Sequence, residues 1–473
     1  MAVKDRNELA FAGVVRQAEL VRAGEVSSRE LVELYLERIE RLDPELNAFR
    51  VVMRERALAD ADLADARRAA GDERPLLGVP LAAKDVEDVA GEVTRWGTSA
   101  FTTPAARDSE LVRRLRTAGA VLLGKTNLPE LAIIGDTEGP SFGVTRNPWD
   151  TERSAAGSSG GSGAAVAAGL CAAATASDGA GSIRLPASNC GLVGLKPTRD
   201  RIPLTPLTEH WYGMGVTGFL TRTVADTALL MQVGTADDSL AAAVEASPGR
   251  LRVARSLKPG FPTRVDGAVR RAVDDVAAAL RSLGHEVEDD DPPYPLASPS
   301  IVRYLAGAAK DVERVERPER LQRRTRGFAR LGKAVPGAVL DWARREDDWR
   351  RMAPFFERHD VLLQPAAARP PVRAGEWEGL GALRTFAGEA VAYPFTGEWN
   401  LTGQPSLALP GGTSDHGLPI GVQLVGRHGQ EAMLLALAAQ LEAELRWPDR
   451  RPSLIGNPAQ RAEPAASGRL QPG

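Results

Sequence analysis

The sequence predicts an α/β protein with a large, twisted, mixed β-sheet that is covered by helices on both faces. From about residue 77 onward, short apolar stretches alternate with segments of helical periodicity, which is typical of strands joined by helices. Hydrophobic residues make up 43% of the 473 positions, enough for a sizeable core. We see no linker that would split this core. We therefore expect one domain over 1–445 and a tail over 446–473, a loose surface strap rich in Pro and Arg.

The N-terminal segment of this domain, 1–70, is predicted to be helical. Residues 7–23 have the pattern of one helix. Ser27 is followed three residues later by Glu30, and this pair forms a capping box that opens a second helix. An Ala-rich third helix is expected over 57–70.

The alternating part of the chain supplies the strands of the sheet and the helices between them. The predicted strands are 79–83, 120–123, 191–195, 251–254, 360–364, 405–409 and 420–425. The helices are predicted over 109–117, 223–233, 266–284 and 430–445. A charged, Arg-rich helical insert is expected over about 298–358, and 213–218 is interpreted as a flexible loop.

One stretch, 154–186, consists mostly of Gly, Ala and Ser and has no charge between Arg153 and Asp178. A membrane-spanning helix needs about 20 predominantly apolar residues, and the serines and glycines at 158–163 interrupt such a run. We expect instead a Gly/Ser loop, a buried helix over about 161–169, a short strand and a second tight turn.

The second turn, 178–182, has the composition of an oxyanion site. Its small residues let backbone N–H groups converge on one point, and Ser182 at its end is a candidate nucleophile if a base can reach it. All five histidines have the pattern of ordinary surface or turn residues. The base is therefore sought among the lysines, since burial can lower a lysine pKa. Lys84 is the candidate because it ends an apolar strand.

Several sequence blocks occur in a recognisable order. They are GVPLAAKD at 78–85, LLGKTNLPEL at 122–131, GSSGGSGAAVAAG at 157–169, SDGAGSIRLPASNCGLVGLKPT at 177–198 and NLTGQPSLALPGG at 400–412. Together they resemble the amidase signature family of serine hydrolases over about residues 20–445. The resemblance implies the amidase signature fold and amide hydrolysis through an acyl-enzyme.

The resemblance also assigns the site residues. It implies a Ser–cis-Ser–Lys triad at Ser182, Ser158 and Lys84. The oxyanion would be held by the backbone N–H groups of Gly179, Ala180, Gly181 and Ser182. Ala180 stands where the family commonly has glycine, so we expect a change in the shape of the acyl pocket rather than in the chemistry.

The substrate prediction rests on apolar and aromatic side chains outside the triad. The pocket is predicted to include Ile133, Ile134, Trp211, Tyr212, Met214, Trp377, Phe395 and Trp399. Such a wall favours small hydrophobic or aryl amides, oligoamides or carbamates (urethanes). Two alternatives stay open, namely a glutamine amidotransferase-type subunit that supplies ammonia and an esterase with the same triad. A catalytically inactive binding scaffold is disfavoured because all three triad residues are present.

Composition excludes several other classes. The net charge is −3 with an isoelectric point near 6.1, which favours neither nucleic acid nor an acidic membrane surface. No metal motif occurs, and no cofactor is predicted. Cys171 and Cys190 have the pattern of buried free thiols. The N-terminus has no apolar signal core, so we expect a cytoplasmic protein whose partners are a small substrate and water; a homodimer stays open.

Overall fold

The computed structural model describes residues 5–295, 298–345 and 348–453. Its strands are β1 Phe49–Val52, β2 Pro80–Lys84, β3 Val121–Thr126, β4 Glu138–Gly139, β5 Gly143–Val144, β6 Arg146–Asn147, β7 Asp150–Ser154, β8 Ala173–Asp178, β9 Val193–Lys196, β10 Val216–Thr221, β11 Arg252–Arg255, β12 Glu286–Asp289, β13 Val361–Pro365, β14 Ser406–Thr413 and β15 Pro419–Val425.

Eleven of these strands form one mixed sheet in the order β1-β3-β2-β8-β10-β9-β14-β15-β13-β11-β12. Strands β3, β2 and β8 run parallel to one another, as do β13, β11 and β12, whereas the pairs in the centre are antiparallel. The mixed α/β architecture expected from the sequence is therefore confirmed.

Helices pack on both faces of this sheet and close its core. The helices are α1 Arg6–Ala10, α2 Gly13–Ala23, α3 Ser28–Leu46, α4 Arg54–Ala69, α5 Glu110–Thr117, α6 Gly160–Ala167, α7 Arg184–Cys190, α8 Val224–Thr235, α9 Gly267–Ser282, α10 Pro299–Glu313, α11 Arg323–Lys333, α12 Gly337–Arg345, α13 Asp348–Arg358, α14 Ala382–Ala392, α15 Gly397–Leu401 and α16 Glu431–Leu445. Helices α10 to α13 lie in the predicted insert.

The N-terminal segment differs from its prediction in two places. The single helix expected over 7–23 is two helices, because the chain breaks after Ala10 and Gly13 adopts a left-handed φ of 76°. Strand β1, which pairs with β3 at the sheet edge, was not predicted because only four residues form it and three of them are half-buried. The capping box is present, since Glu30 N donates to Ser27 Oγ and Ser27 N donates to Glu30 Oε2.

Three further expectations are corrected. Residues 216–218, interpreted as part of a flexible loop, begin the fully buried strand β10. His285 and His359 are buried rather than at the surface. The described part of the tail is also held in place, because Trp447 is buried and Arg451 forms an ion pair with Glu8. The predicted tail beyond residue 453 lies outside the described residues.

Within residues 5–295, 298–345 and 348–453, no helix is long and apolar enough to span a bilayer. In the same residues, no cluster of three or more His, Cys, Asp or Glu side chains is arranged to hold a metal ion. Cys171 and Cys190 are free and buried, as the sequence predicts.

Candidate active site

The three predicted triad residues lie at one edge of the sheet. Lys84 is the last residue of β2, and Ser182 follows β8 in the turn before α7. Strands β2 and β8 are parallel neighbours, so their carboxyl ends emerge at the same edge. Ser158 reaches this edge from the loop before α6.

Lys84 is fully buried and makes its contacts with hydroxyl groups. Its Nζ lies 2.8 Å from Ser158 Oγ and 2.8 Å from Ser177 Oγ. Among the described residues, no carboxylate forms an ion pair with it. Burial lowers the pKa of Lys84 to about 7, although the charges of Asp178 and Glu87 act in the opposite direction. A lysine with this pKa is substantially neutral at physiological pH and can accept a proton.

The neighbouring Asp85 points to the other face of the strand, as the alternation of side chains predicts. Its carboxylate pairs with Arg50 at 2.7 Å and with Lys125 at 2.8 Å. Although Asp85 follows Lys84 in sequence, it therefore forms its ion pairs with other residues and not with the Lys84 amine.

The loop that carries Ser158 is held by close backbone packing. The peptide bond between Gly157 and Ser158 is cis, as the resemblance implies. A Cβ on Gly157 would lie 2.8 Å from the backbone of Asp136, so only glycine fits there. Thr137 Oγ1 donates to Ala156 O and accepts from Gly160 N, both at 3.0 Å. These contacts fix Ser158 beside the Lys84 amine.

Asp178 organises the second turn. Its carboxylate receives two hydrogen bonds from the Arg184 guanidinium, at 3.0 and 3.1 Å, and one of 2.9 Å from Asn400 Nδ2. Burial would raise the pKa of Asp178, but the Arg184 charge and these hydrogen bonds outweigh it and hold the pKa well below its usual value. Arg184 is thus the partner of Asp178 in a buried ion pair.

The Asp178 carboxylate also reduces the number of backbone N–H groups that are free to bind an oxyanion. Gly181 N donates to Asp178 Oδ1 at 2.6 Å, so this N–H group is already engaged. In contrast, the N–H groups of Gly179, Ala180 and Ser182 have no hydrogen-bond acceptor among the described residues. The turn therefore offers three of the four predicted donors to a ligand.

Two cavities meet at Ser182. The polar cavity is lined by Ser158, Ser177 and Ser182 together with Glu87, Asp88 and His210. The apolar cavity is lined mainly by hydrophobic side chains, among them Ile133, Ile134, Met214, Leu185, Tyr304 and Phe386. Ala132, Ser182 and Trp211 contribute to both walls. A molecule whose reacting carbon lies at Ser182 can therefore extend in two directions.

Trp211 is fixed between the two cavities. Its indole N–H donates to Asp311 Oδ2 at 2.7 Å, and its ring stacks on His210 with 5.0 Å between the centroids. The ring also packs directly over the oxyanion turn, since a Cβ on Gly179 would lie only 2.6 Å from it. The position of this ring therefore shapes both cavities at the nucleophile.

The other predicted pocket residues separate into two groups. Ile133, Ile134, Met214 and Trp211 line the apolar cavity. Tyr212 lies outside both cavities, with Lys310 and Arg344 at 5.4 and 5.5 Å from the centre of its ring.

The structure corrects the prediction for three aromatic residues that follow the insert. Trp399 is fully buried with Met352, Phe355 and Phe356 of α13. Phe395 lies in the core of the sheet, and the indole of Trp377 donates to the buried Asp136 at 2.7 Å. These rings pack inward because the core needs their apolar area, which leaves other residues of 382–397 to line the cavity.

Several side chains at the site were not predicted. Ser177 contacts Lys84, and Glu87 lies in the wall of the polar cavity, only three residues beyond Lys84. Both are close in sequence to a motif residue, which is the signal that could have found them. Glu389 lines the apolar cavity from α14, far from any motif, and no pattern in the sequence indicates it.

Comparisons with known proteins extend over nearly the whole chain. An amidase family model matches residues 30–435. AmiB2 of Mycobacterium tuberculosis (strain ATCC 25618 / H37Rv), a candidate amidase, is 45% identical over 460 residues, which cover 95% of this chain and 100% of that protein. The 6-aminohexanoate-cyclic-dimer hydrolase of Pseudomonas sp. (strain NK87) is 36% identical, over 95% of this chain and 98% of the hydrolase.

Solved structures give the same result. A structure of 6-aminohexanoate cyclic dimer hydrolase with its substrate superposes with a TM-score of 0.85 at 34% identity, over 94% of this chain and 99% of that chain. A bacterial aryl acylamidase superposes with a TM-score of 0.83 at 25% identity, over the same shares of the two chains.

Proposed function

This chain belongs to the amidase signature family, whose members hydrolyse C–N bonds, and we propose that it cleaves small secondary amides through an acyl-enzyme on Ser182. The observation that carries the proposal is the 2.8 Å contact between Lys84 Nζ and Ser158 Oγ. This contact is buried, it involves a lysine whose pKa is lowered to about 7, and Ser158 shares a cavity wall with Ser182. Such an arrangement supplies a nucleophile, a proton relay and a base.

In the first half of the reaction, neutral Lys84 takes a proton from Ser158, and Ser158 takes one from Ser182 as its Oγ attacks the carbonyl carbon. The negative charge on the carbonyl oxygen is held by the N–H groups of the oxyanion turn. One such donor contributes about 2.7–4 kcal/mol to lowering a barrier. When the C–N bond breaks, the proton returns through Ser158 to the leaving amine. Water then repeats the sequence on the ester and frees the acid.

The route of the proton determines which cavity would hold the amine side of the substrate and which would hold the acyl side. The leaving nitrogen must receive its proton from Ser158, which lines the polar cavity but not the apolar cavity. The amine side therefore lies in the polar cavity, and the acyl side extends into the apolar cavity. A secondary amide, which carries groups on both sides of the bond, uses both spaces; a primary amide leaves one of them without a substrate group.

The lining of the apolar cavity disfavours glutamine as the acyl donor. Among its described residues there is no Lys, Arg or His to pair with an α-carboxylate, whereas Glu389 and Glu398 are present. An α-carboxylate placed there would lose its water and gain no cation in exchange, which is costly. The lack of a cation favours an uncharged or cationic acyl group over the amidotransferase alternative.

The relatives act on substrates of a compatible kind. One is named for hydrolysis of the cyclic dimer of 6-aminohexanoate, and another is named an aryl acylamidase. We therefore place oligoamides and aryl amides within the substrate range of this chain. Carbamates fit the same chemistry, because attack by Ser182 on a carbamate carbonyl gives an acylated serine that water can hydrolyse.

The test compares kcat/KM for hexanoic acid 4-nitroanilide, a matched aryl carbamate, a matched ester, acetamide and glutamine, with Ser182→Ala as the inactive control. Burial of an apolar side chain contributes about 1.5–3 kcal/mol, so the anilide should exceed acetamide and glutamine by about tenfold or more. A higher kcat/KM for glutamine or acetamide would contradict the proposal. Hydrolysis of the ester with none of the amides would support the esterase alternative instead.

A further inference from the structure

Glu389 is a carboxyl group in the wall of the apolar cavity that the proposed mechanism leaves without a role. It lies on α14, and its Oε1 accepts a hydrogen bond of 2.7 Å from the N–H of Gly135, which also lines the cavity. The side chain is half-buried, and its second oxygen, Oε2, has no hydrogen-bond partner among the described residues. A carboxyl oxygen at an apolar surface is costly unless something donates to it.

The polar groups around Glu389 are already engaged elsewhere. Tyr393 donates its hydroxyl to Asp136 at 2.9 Å, and Tyr304 donates its hydroxyl to Ile133 O at 2.9 Å. Arg324 forms an ion pair of 2.8 Å with Glu138. Burial, together with the charge of Asp136, raises the pKa of Glu389 well above its usual value. Among the described residues, Glu389 therefore forms no ion pair with a cation.

A ligand that donates hydrogen bonds or carries a positive charge would give Glu389 Oε2 the partner that the described residues do not provide. The cavity has no Lys, Arg or His among its described lining residues to compete for such a ligand. The same cavity reaches Ser182, so a ligand held at Glu389 can be connected to the reacting carbonyl by an apolar chain along Ile133, Ile134 and Met214. A ligand that meets these requirements is an alkyl chain with the reacting carbonyl at one end and an amino group at the other.

We propose that Glu389 binds the terminal amino group of the acyl chain, which makes this enzyme selective for amides of straight-chain ω-amino acids. The proposal rests on the proposed function, because it needs the acyl side to lie in the apolar cavity. The amino group donates to Oε2 while Oε1 keeps its bond to Gly135 N. The methylenes between the amino group and the scissile amide fill the apolar part of the cavity.

The test uses pairs of 4-nitroanilides that differ only in a terminal amino group. The pairs are butanoyl with 4-aminobutanoyl, hexanoyl with 6-aminohexanoyl, and octanoyl with 8-aminooctanoyl. For the chain length that fits best, the wild-type enzyme should prefer the amino compound by about tenfold or more in kcat/KM, with the gain mainly in KM. Equal values, or a preference for the plain acyl compound at every length, would overturn the proposal without a variant.

Glu389→Gln then assigns the preference to one side chain. Glutamine has the same shape and keeps an oxygen for Gly135 N, so hydrolysis of the plain acyl anilide should stay within about threefold of wild type. The preference for the amino compound should fall to about twofold or less. Glu398→Gln is the matched control, because Glu398 lines the same cavity and its Oε2 accepts from Ser298 Oγ at 2.8 Å. This variant should keep the wild-type preference.

The outcomes separate this proposal from the one on which it rests. If no anilide of either kind is hydrolysed, the proposed function itself is contradicted. If the plain anilides are hydrolysed and Glu389→Gln lowers both members of a pair equally, the role of Glu389 is contradicted and the proposed function stands. The same holds if Glu398→Gln removes the preference and Glu389→Gln does not.

Discussion

Amide hydrolysis should rise with pH through an apparent pKa near 7, because Lys84 has to be neutral before it can accept the Ser158 proton. With a pKa of about 7, the neutral fraction of Lys84 is about one tenth at pH 6 and about nine tenths at pH 8. The value of kcat/KM should therefore rise about tenfold over this interval and then reach a plateau. A lysine with the ordinary pKa of about 10.4 would still be less than about 1% neutral at pH 8.

The position of this pH limb depends on Glu87, whose charge raises the pKa of Lys84. Glu87→Gln removes the charge and keeps groups that can bond to the hydroxyls of Ser109 and Thr217. The apparent pKa should then fall, so that activity at pH 6 becomes a larger fraction of the plateau. Asp88→Asn is the matched control, since it makes the same change one residue further along the wall of the polar cavity.

The assay is release of 4-nitroaniline between pH 5.5 and pH 9.5, with circular dichroism at each pH to establish that the fold is retained. The reasoning would be refuted if kcat/KM rose about tenfold per pH unit up to pH 9, because Lys84 would then have an ordinary pKa. An unchanged or higher apparent pKa in Glu87→Gln would contradict the claim that the charge of Glu87 raises the pKa of Lys84. A downward shift of equal size in Asp88→Asn would contradict the claim that the effect is specific to Glu87.

Three further changes test other parts of the site. Lys84→Met should lower kcat/KM by about a thousandfold or more and abolish the pH limb, which the same pH profile measures. Arg184→Met should lower the free energy of unfolding by about 3–5 kcal/mol in urea titrations, because it leaves the buried Asp178 carboxylate without its cation; an unchanged midpoint would contradict this. Gly179→Ala should lower kcat by about tenfold or more, because the new methyl lies 2.6 Å from the Trp211 ring beside the oxyanion turn. Wild-type kinetics in this variant would show that the ring position does not matter.

The fold class could be predicted because its signals are local. Apolar runs that alternate with helical periodicity indicate strands and helices wherever they occur, and most strands of the sheet have them. Strand β1 was not predicted because four residues at an edge, three of them half-buried, carry too little of that signal. The break between α1 and α2 was not predicted because it involves a residue distant in sequence: a Cβ on Gly13, which has a left-handed φ, would clash with the Asp226 carboxylate.

The site also has parts that could be predicted from the sequence and parts that could not. Lys84, Ser158 and Ser182 could be named because each lies in a short, ordered block of small and apolar residues. The pocket could be predicted only in part, since composition shows that Trp211 and Trp399 are aromatic but not which of them faces a cavity. The engagement of Gly181 N by the Asp178 carboxylate, a contact made within one turn, needs coordinates to be seen.

The central claim, an acyl-enzyme on Ser182, is tested most directly by intact-protein mass spectrometry during turnover of a slowly deacylated aryl carbamate. The protein should gain the mass of one carbamoyl group, peptide mapping should place it on Ser182, and release of the phenol should show a burst of one equivalent. Ser182→Ala should show neither the adduct nor the burst. An adduct on another residue, or steady hydrolysis with no covalent adduct at any time, would contradict the account.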